Sequence, residues 1–303
     1  MILESIIPKS ESHWLELRAQ DVTSTEVSAL FGISPYTTLF ETWHRHQENL
    51  VASFEETERS KWGTRLQDSI ANGIAEDEGW KIRRMPEYIR HTKLRMGSSF
   101  DFSIEEAGIL EIKNVDGFVF RDGWIVDGDN FEAPPHIEMQ LQHQLAVSGR
   151  SYAYIGALIG GNRIVLIKRE PDEQIISSIK KQVERFWNSI ADNKEPQPDF
   201  TKDADVIKRL YSQASPGKVF DARGDQEINS FVEEYRQINE SKKKLEHEID
   251  RIKSQLIVRI GDCEKAVGDT FSISASMVKP TKIEYEREGY RLFRLNFRKE
   301  AKK

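Results

Sequence analysis

Asp101 and the tripeptide Glu111-Ile112-Lys113 are separated by nine residues, giving the pattern D-x9-E-x-K. A strand has a period of two, so Glu111 and Lys113 project from one face with Ile112 behind them. The Glu- and Gly-containing turn between the arms is short enough to fold Asp101 beside Glu111 on a neighbouring strand. Two carboxylates and one ammonium then meet at a single point. Hard anionic oxygens suit Mg²⁺, and an amine beside a hydrated divalent ion suits phosphodiester hydrolysis. The competing reading is a turn aspartate with a solvated Glu/Lys pair. Apolar residues bracket both arms, a helix precedes them and a Gln-bearing helix follows, which favours a site.

The surrounding pattern supplies the scaffold. Short helices are expected over 13–18 and 25–31, and a longer one over 39–47 carries Phe40, Trp43 and His44 on one side. Residues 48–60 read as an acidic loop. A helix over 64–78 places Leu66, Ile70 and Ile74 four apart and stops at Gly79. Strands are expected over 80–84, 88–102 and 109–115, then a loop over 116–135 whose aromatics mostly pack back on the core. A helix over 137–147, a hairpin of 152–159 with 163–167, and a helix over 172–191 complete an α-βββ-α-ββ-α order. This is an α/β sandwich; no GxGxxG or GxxxxGK[ST] suggests a nucleotide-binding fold.

Beyond residue 200 a linker is expected over 201–225, then an appendage over 226–303. Phe231, Tyr235, Ile238, Leu245, Ile249, Ile252 and Leu256 follow alternating spacings of four and three, the a/d seam of a coiled coil broken at Lys242. Residues 266–299 then alternate as strands. This tail reads either as a prop on its own domain or as a surface for an oligomer or partner protein.

Bulk composition sets the outer limits. The 303 residues are 38% hydrophobic and 31% charged, and no apolar run reaches membrane-spanning length. The N-terminal residues have neither a basic n-region nor a long h-region, so no signal peptide is expected. The lone Cys263 excludes an internal disulfide and a cysteine-based zinc site, and a reducing cytoplasm is the expected compartment. A net charge of −6 argues against non-specific coating of nucleic acid. Residues 81–95 nevertheless form a basic track with Arg83, Arg84 and Arg95, interrupted only by Glu87. It reads as a solvated strand face or, because it leads into Asp101, as a contact for a DNA backbone.

Once these residues are placed, residues 10–200 resemble the YqaJ-like viral recombinase family, the lambda-type exonucleases of the PD-(D/E)XK nuclease superfamily. The resemblance rests on Trp14-x-x-x-Arg18 with Thr23-Ser24-Thr25-Glu26, on Leu30-Phe31-Gly32-Ile33-Ser34-Pro35-Tyr36, and on Trp62-Gly63-Thr64-Arg65-Leu66. It continues through Met96 to Asp101, Leu110 to Lys113, and Met139-Gln140-Leu141-Gln142-His143-Gln144 up to Gly149. Each motif is short; their shared order is what makes the match specific.

The resemblance implies a restriction-endonuclease-like core, a mixed sheet flanked by helices, over residues 1–200. It implies Mg²⁺, with Mn²⁺ as substitute, on Asp101, Glu111 and the Ile112 carbonyl. Lys113 would act on the attacking water, Gln140 would position it, and Arg18 with Thr25 would grip a terminal 5′-phosphate. For Arg18 the alternative is a surface salt bridge with Glu16 or Asp21. Gln142, about 200° around the helix from Gln140, is read as structural. Three departures stand out: Gln67, a candidate catalytic residue whose amide oxygen would coordinate the metal or hold its water more weakly than a carboxylate, occupies a position where the family usually has Glu; Thr25 stands where Ser is commoner; and Ile137 stands where Tyr often does. The implied activity is 5′→3′ resection of double-stranded DNA ends to 3′ overhangs for phage-type recombination. A single-strand annealing protein and a ring-shaped homo-oligomer, such as a trimer, are the implied partners. A structure- or site-specific endonuclease and a non-catalytic end-binding scaffold are the alternatives.

Overall fold

The computed structural model describes residues 3–47, 57–128, 130–284, 286 and 289–297, and divides into two units, Met1–Ile207 and Lys208–Lys303. The first unit opens with β1 (Leu3–Ile6), α1 (Glu11–Ala19), β2 (Val22–Thr23), a 3₁₀ turn (Val27–Phe31), α2 (Leu39–Gln47) and α3 (Glu58–Glu78). Strands β3 (Ile82–Arg84), β4 (Tyr88–His91), β5 (Met96–Ser98), β6 (Phe102–Ile104) and β7 (Gly108–Val115) follow. Then come α4 (Gly117–Gly123), β8 (Ile125–Asp127), β9 (Asn130–Glu132), α5 (Pro135–Ser148), β10 (Tyr152–Ile159), β11 (Arg163–Arg169) and α6 (Glu173–Ala191).

The main sheet has the order β11-β10-β7-β6-β3. It is mixed: β7 and β10 run parallel, while the other neighbours are antiparallel. Strand β7 is central, and its alternation sorts residues onto two helical layers. Leu110 and Ile112 pack with Ile70, Ala71 and Ile74 of α3. Ile109 packs with Ile137, Leu141 and Leu145 of α5. Glu111, two residues from Ile109, therefore faces α5 from inside the protein. A second sheet, β1-β4-β5-β2, lies beyond the other side of α5, where Val22, Met96 and Val147 share a core with Ile179, Val183 and Phe186 of α6.

Several elements depart from the sequence pattern. The expected strand over 88–102 is two strands of the second sheet, because the chain turns at 92–95. There His91 Nδ1 accepts from Leu94 N at 3.1 Å and Arg95 takes a left-handed φ of 51°. The expected loop over 116–135 holds α4, capped by Asp116 Oδ1 accepting from Phe118 N at 2.8 Å, and the β8–β9 hairpin. Its Phe120 and Trp124 are buried while Phe118 is exposed. Of the expected loop over 48–60, residues 48–56 lie outside the described residues, and α3 begins at Glu58. The expected linker contains α7 (Ala204–Leu210), anchored by buried Asp203, whose carboxylate accepts from Thr38 Oγ1 at 2.5 Å.

In the second unit, α8 (Gln226–Ile260) is a 35-residue helix with no buried residue. Its apolar seam, from Phe231 through Leu256, is exposed throughout. Strands β12 (Lys265–Val267) and β13 (Ser272–Ser274) form a hairpin. Residues 282–284 and 291–297, expected to alternate as strands, form none, and Tyr285 lies outside the described residues.

Candidate active site

The antiparallel register Phe102↔Leu110 brings Asp101 across from Glu111 at the open end of the β6–β7 ladder. Asp101 Oδ2 accepts from the Ile112 N–H at 2.8 Å, so the carboxylate takes the place of a strand that has ended. The N–H and C=O of a strand residue point to the same edge, so the Ile112 carbonyl is directed to the Asp101 side as well. Glu111 is buried, and its Oε1 accepts from Lys113 Nζ at 2.8 Å and Gln140 Nε2 at 2.6 Å. Lys113 Nζ also donates to Gln140 Oε1 at 3.0 Å, closing a three-membered ring of contacts. The structure thus brings Asp101, Glu111, Lys113 and Gln140 together.

Sequence reasoning passed over a fifth member, Gln144. It lies one turn beyond Gln140, wholly buried, and donates from Nε2 to Glu111 Oε2 at 2.8 Å and to the Ser99 carbonyl at 3.2 Å. The signal was present: residues i and i+4 share a helix face. Gln142 points elsewhere, donating to the Glu170 carbonyl at 2.9 Å and accepting from Asp172 N at 2.9 Å, which ties α5 to the start of α6.

Electrostatics mark the cluster as short of positive charge. Burial and the adjacent Glu111 push the Asp101 carboxyl up to about 7. Burial alone would lower Lys113, but the Glu111 and Asp101 charges outweigh it and hold the ammonium above its ordinary value. Among the described residues no group of three His, Cys, Asp or Glu side chains forms a metal cage. Two carboxylates and a backbone carbonyl nonetheless fit a hard divalent ion, and such a charge would relieve the Asp101–Glu111 repulsion.

A second locus adjoins the first. Arg18 Nη2 donates to Thr25 Oγ1 at 3.0 Å, and its guanidinium lies 4.6 Å from the Trp14 ring centroid. The alternative salt bridge to Asp21 is not formed, since Asp21 pairs with Arg90 at 2.7 Å. Arg18 and Thr25 line a cavity of about 480 Å³ with Trp14, Tyr36, Arg45 and His46. Burial would raise the Glu26 carboxyl at its base, but His46, Arg45 and Arg18 outweigh burial and hold it well below the usual carboxylate range. A smaller cavity of about 170 Å³ is lined by Lys113, Gln140, Ser28, His136 and Ile137, and shares Thr25 and Tyr36 with the larger one. Burial, then the Lys113 charge, lowers the His136 imidazole. A physical link also joins the loci: Trp14 Nε1 donates to Ser99 Oγ at 2.8 Å, and the Ser99 carbonyl accepts from Gln144.

The remaining predicted residues bond to other partners, although the Arg84 charge acts on the Asp101 carboxylate and opposes its upward shift. Gln67 Oε1 accepts from Arg84 Nη2 at 3.2 Å, and Arg84 also pairs with Asp68 at 2.8 Å. Arg83 pairs with Glu87 at 3.0 Å. Arg95 lies 3.3 Å from the Trp187 ring centroid and donates to the Gln20 carbonyl at 3.0 Å. These arginines are held by their own chain.

The chain is similar to known proteins in sequence and in fold. The chain is 26% identical over 261 residues to YqaJ of Bacillus subtilis (strain 168), a protein described as uncharacterized, covering 84% of this chain and 80% of that one. Its fold is similar to that of an alkaline exonuclease (LHK-Exo) from Laribacter hongkongensis, with a TM-score of 0.51 at 17% identity, over 65% of this chain and 99% of the other. At that identity the likeness bears on the fold alone, a PD-(D/E)XK-type core. Among the described residues no helix is long and apolar enough to cross a membrane. Family match and fold together support a nuclease. Residues 13–151 match the family model of the YqaJ-like viral recombinase domain.

Proposed function

We propose that the protein is a metal-dependent exonuclease that resects double-stranded DNA 5′→3′, leaving 3′ single-stranded ends for recombination. The observation that carries this reading is the common wall, Thr25 and Tyr36, between the Arg18 cavity and the Lys113 cavity. A phosphate clamp one wall away from a carboxylate–lysine cluster suits removal of a terminal nucleotide better than cutting within a duplex.

Asp101, Glu111 and the Ile112 carbonyl would hold Mg²⁺ or Mn²⁺, which when bound supplies Lewis-acid stabilisation of the charge developing on the phosphate. Lys113, fixed by Glu111 and Gln140, orients the attacking water and offsets that charge. Gln140 holds the ammonium toward the small cavity through its side-chain oxygen. Arg18 and Thr25 receive the 5′-phosphate; their mutual hydrogen bond pre-sets both groups, so little order has to be gained on binding. Arg83, Arg84 and Arg95 would reach a DNA backbone only by exchanging their present partners. The reading carries with it a ring-shaped homo-oligomer, an annealing-protein partner for the second unit, and action in a host cytoplasm.

The test is a linear duplex labelled separately at each end, with or without 5′-phosphate, in Mg²⁺. Early release of label from the phosphorylated 5′ end, abolished by Lys113→Ala, is expected. Arg18→Ala should erase the preference for 5′-phosphate while leaving slow cleavage. Label leaving first from 3′ ends, or attack on closed circles, would overturn the proposal. Equal inertness of wild type and Lys113→Ala, with end binding retained, would leave a scaffold.

A further inference from the structure

Tyr36 is 80% exposed, and its surroundings distinguish it from a scattered surface aromatic. Ser34 Oγ accepts from the N–H groups of Tyr36 at 3.2 Å and Thr37 at 3.3 Å, so the turn that presents the ring is pinned. The ring meets His136 edge-on, with centroids 5.7 Å apart and planes at 84°. Tyr36 belongs to both cavities, whereas Arg18 lines only the larger and Lys113 and His136 only the smaller. It also lies within electrostatic reach of the Lys113 ammonium.

This placement has a consequence for any nucleotide bound there. With its 5′-phosphate at Arg18 and Thr25 and its 3′ linkage at Lys113, its sugar and base must cross the seam that Tyr36 and His136 form. The larger cavity, about 480 Å³, has the size of a small-ligand site. One face of an exposed aromatic ring suits any base, because every base has a π-face, and an enzyme that removes nucleotides in succession requires such tolerance. Burial and the nearby Lys113 charge both disfavour a protonated His136, and its edge-on contact with the Tyr36 ring suits a brace.

We propose that Tyr36, braced edge-on by His136, is the stacking platform for the base of the terminal 5′-phosphorylated deoxynucleotide. Tyr36 touches the base; His136 is a positioning residue acting through Tyr36. The identity of the occupant rests on the exonuclease reading above.

The experiment measures binding of deoxyadenosine 5′-monophosphate and of 2-deoxyribose 5-phosphate to the full chain by calorimetry. Wild type should prefer the nucleotide by about tenfold, the effect of one base–aromatic stack. Tyr36→Ala should bring the nucleotide down to the sugar phosphate without weakening the latter, Tyr36→Phe should behave as wild type, and His136→Ala should lose part of the preference that His136→Phe restores. On duplex ends, Tyr36→Ala should raise KM about tenfold with kcat little changed, and an abasic 5′-terminal residue should make the two proteins equal. Equal affinity of wild type for both ligands, or parallel weakening of both by Tyr36→Ala, overturns the platform while leaving the phosphate clamp intact. Failure of both ligands to bind wild type, together with absence of 5′-end cleavage, instead overturns the exonuclease reading and the platform with it.

Discussion

Replacing Gln144 with Met separates the stability of the cluster from its function. The substitution keeps length and apolar contact but deletes the amide. Two effects on folding oppose one another. The hydrogen bond from Gln144 Nε2 to Glu111 Oε2, at 2.8 Å, ends on a carboxylate, and such bonds contribute about 1.5–3 kcal/mol. Gln144 Oε1, however, is buried with no hydrogen-bond partner, and an orphaned buried acceptor costs about 1–3 kcal/mol. The Ser99 carbonyl loses one donor but keeps Ser98 Oγ at 2.7 Å. Net stability should therefore move by no more than about 1 kcal/mol, read from urea midpoints. Function should respond far more. Lys113 and Gln140 both bond Oε1, so deletion removes the Gln144 donor from Oε2 of Glu111 and leaves the carboxylate held at one oxygen only. Groups that orient a metal-binding carboxylate change affinity or activity by about 10–100-fold when removed. Nucleotide release from 5′-phosphorylated linear duplex should fall by that factor, with part of the loss recovered at high Mg²⁺. Full activity with an unchanged Mg²⁺ dependence would refute the assignment of Gln144 to the site. A loss above about 3 kcal/mol would refute the opposing-terms argument.

Three further outcomes follow from the same geometry. Asp101→Asn keeps an acceptor for the Ile112 N–H but removes a buried charge facing Glu111, so chelator-treated protein should gain about 1–2 kcal/mol while cleavage and the rise in melting temperature with Mg²⁺ or Mn²⁺ both vanish; a less stable variant would mean that Lys113 needs Asp101 more than Glu111 repels it. Burial lowers the His143 imidazole to about 4, although its Nε2 donates to the Val22 carbonyl at 3.1 Å. A depressed folded-state value means that this stability is present above the unfolded value near 6.5 and is lost as pH falls toward 4. Between pH 7 and 5 the loss should be about 2 kcal/mol in urea titrations, and His143→Gln should flatten that limb; an identical acid slope in the variant would count against it. Gly97→Ala should cost about 3 kcal/mol, because the new methyl collides with the buried Tyr88 hydroxyl and lies 2.8 Å from Asp21 Oδ2; wild-type thermal stability would show that the second sheet yields more easily than its packing implies.

What could be read in advance, and what could not, divides along a physical line. Glu111 and Lys113 were legible because a strand's period of two is a local rule, and Asp101 because a short turn limits where the chain can return. Gln144 stands only 40° around the helix from Gln140, so the spacing was sufficient. Its role depends on Glu111 turning a buried carboxylate toward α5, which is a tertiary fact. The strand expected over 88–102 failed for a related reason. Alternation reports which face is buried, and β4, β5 and β6 all bury a face, but in two different sheets. Helix α4 was hidden by Gly117 and Gly123, although Asp116 offered a cap two residues before Phe118. The seam of α8 shows the limit most sharply. Its spacing states a demand for burial, and a 35-residue helix with no buried residue leaves that demand unmet within its own unit. A hydrophobic pattern specifies which face must be covered; only charge, shape or a partner's own surface can specify by what.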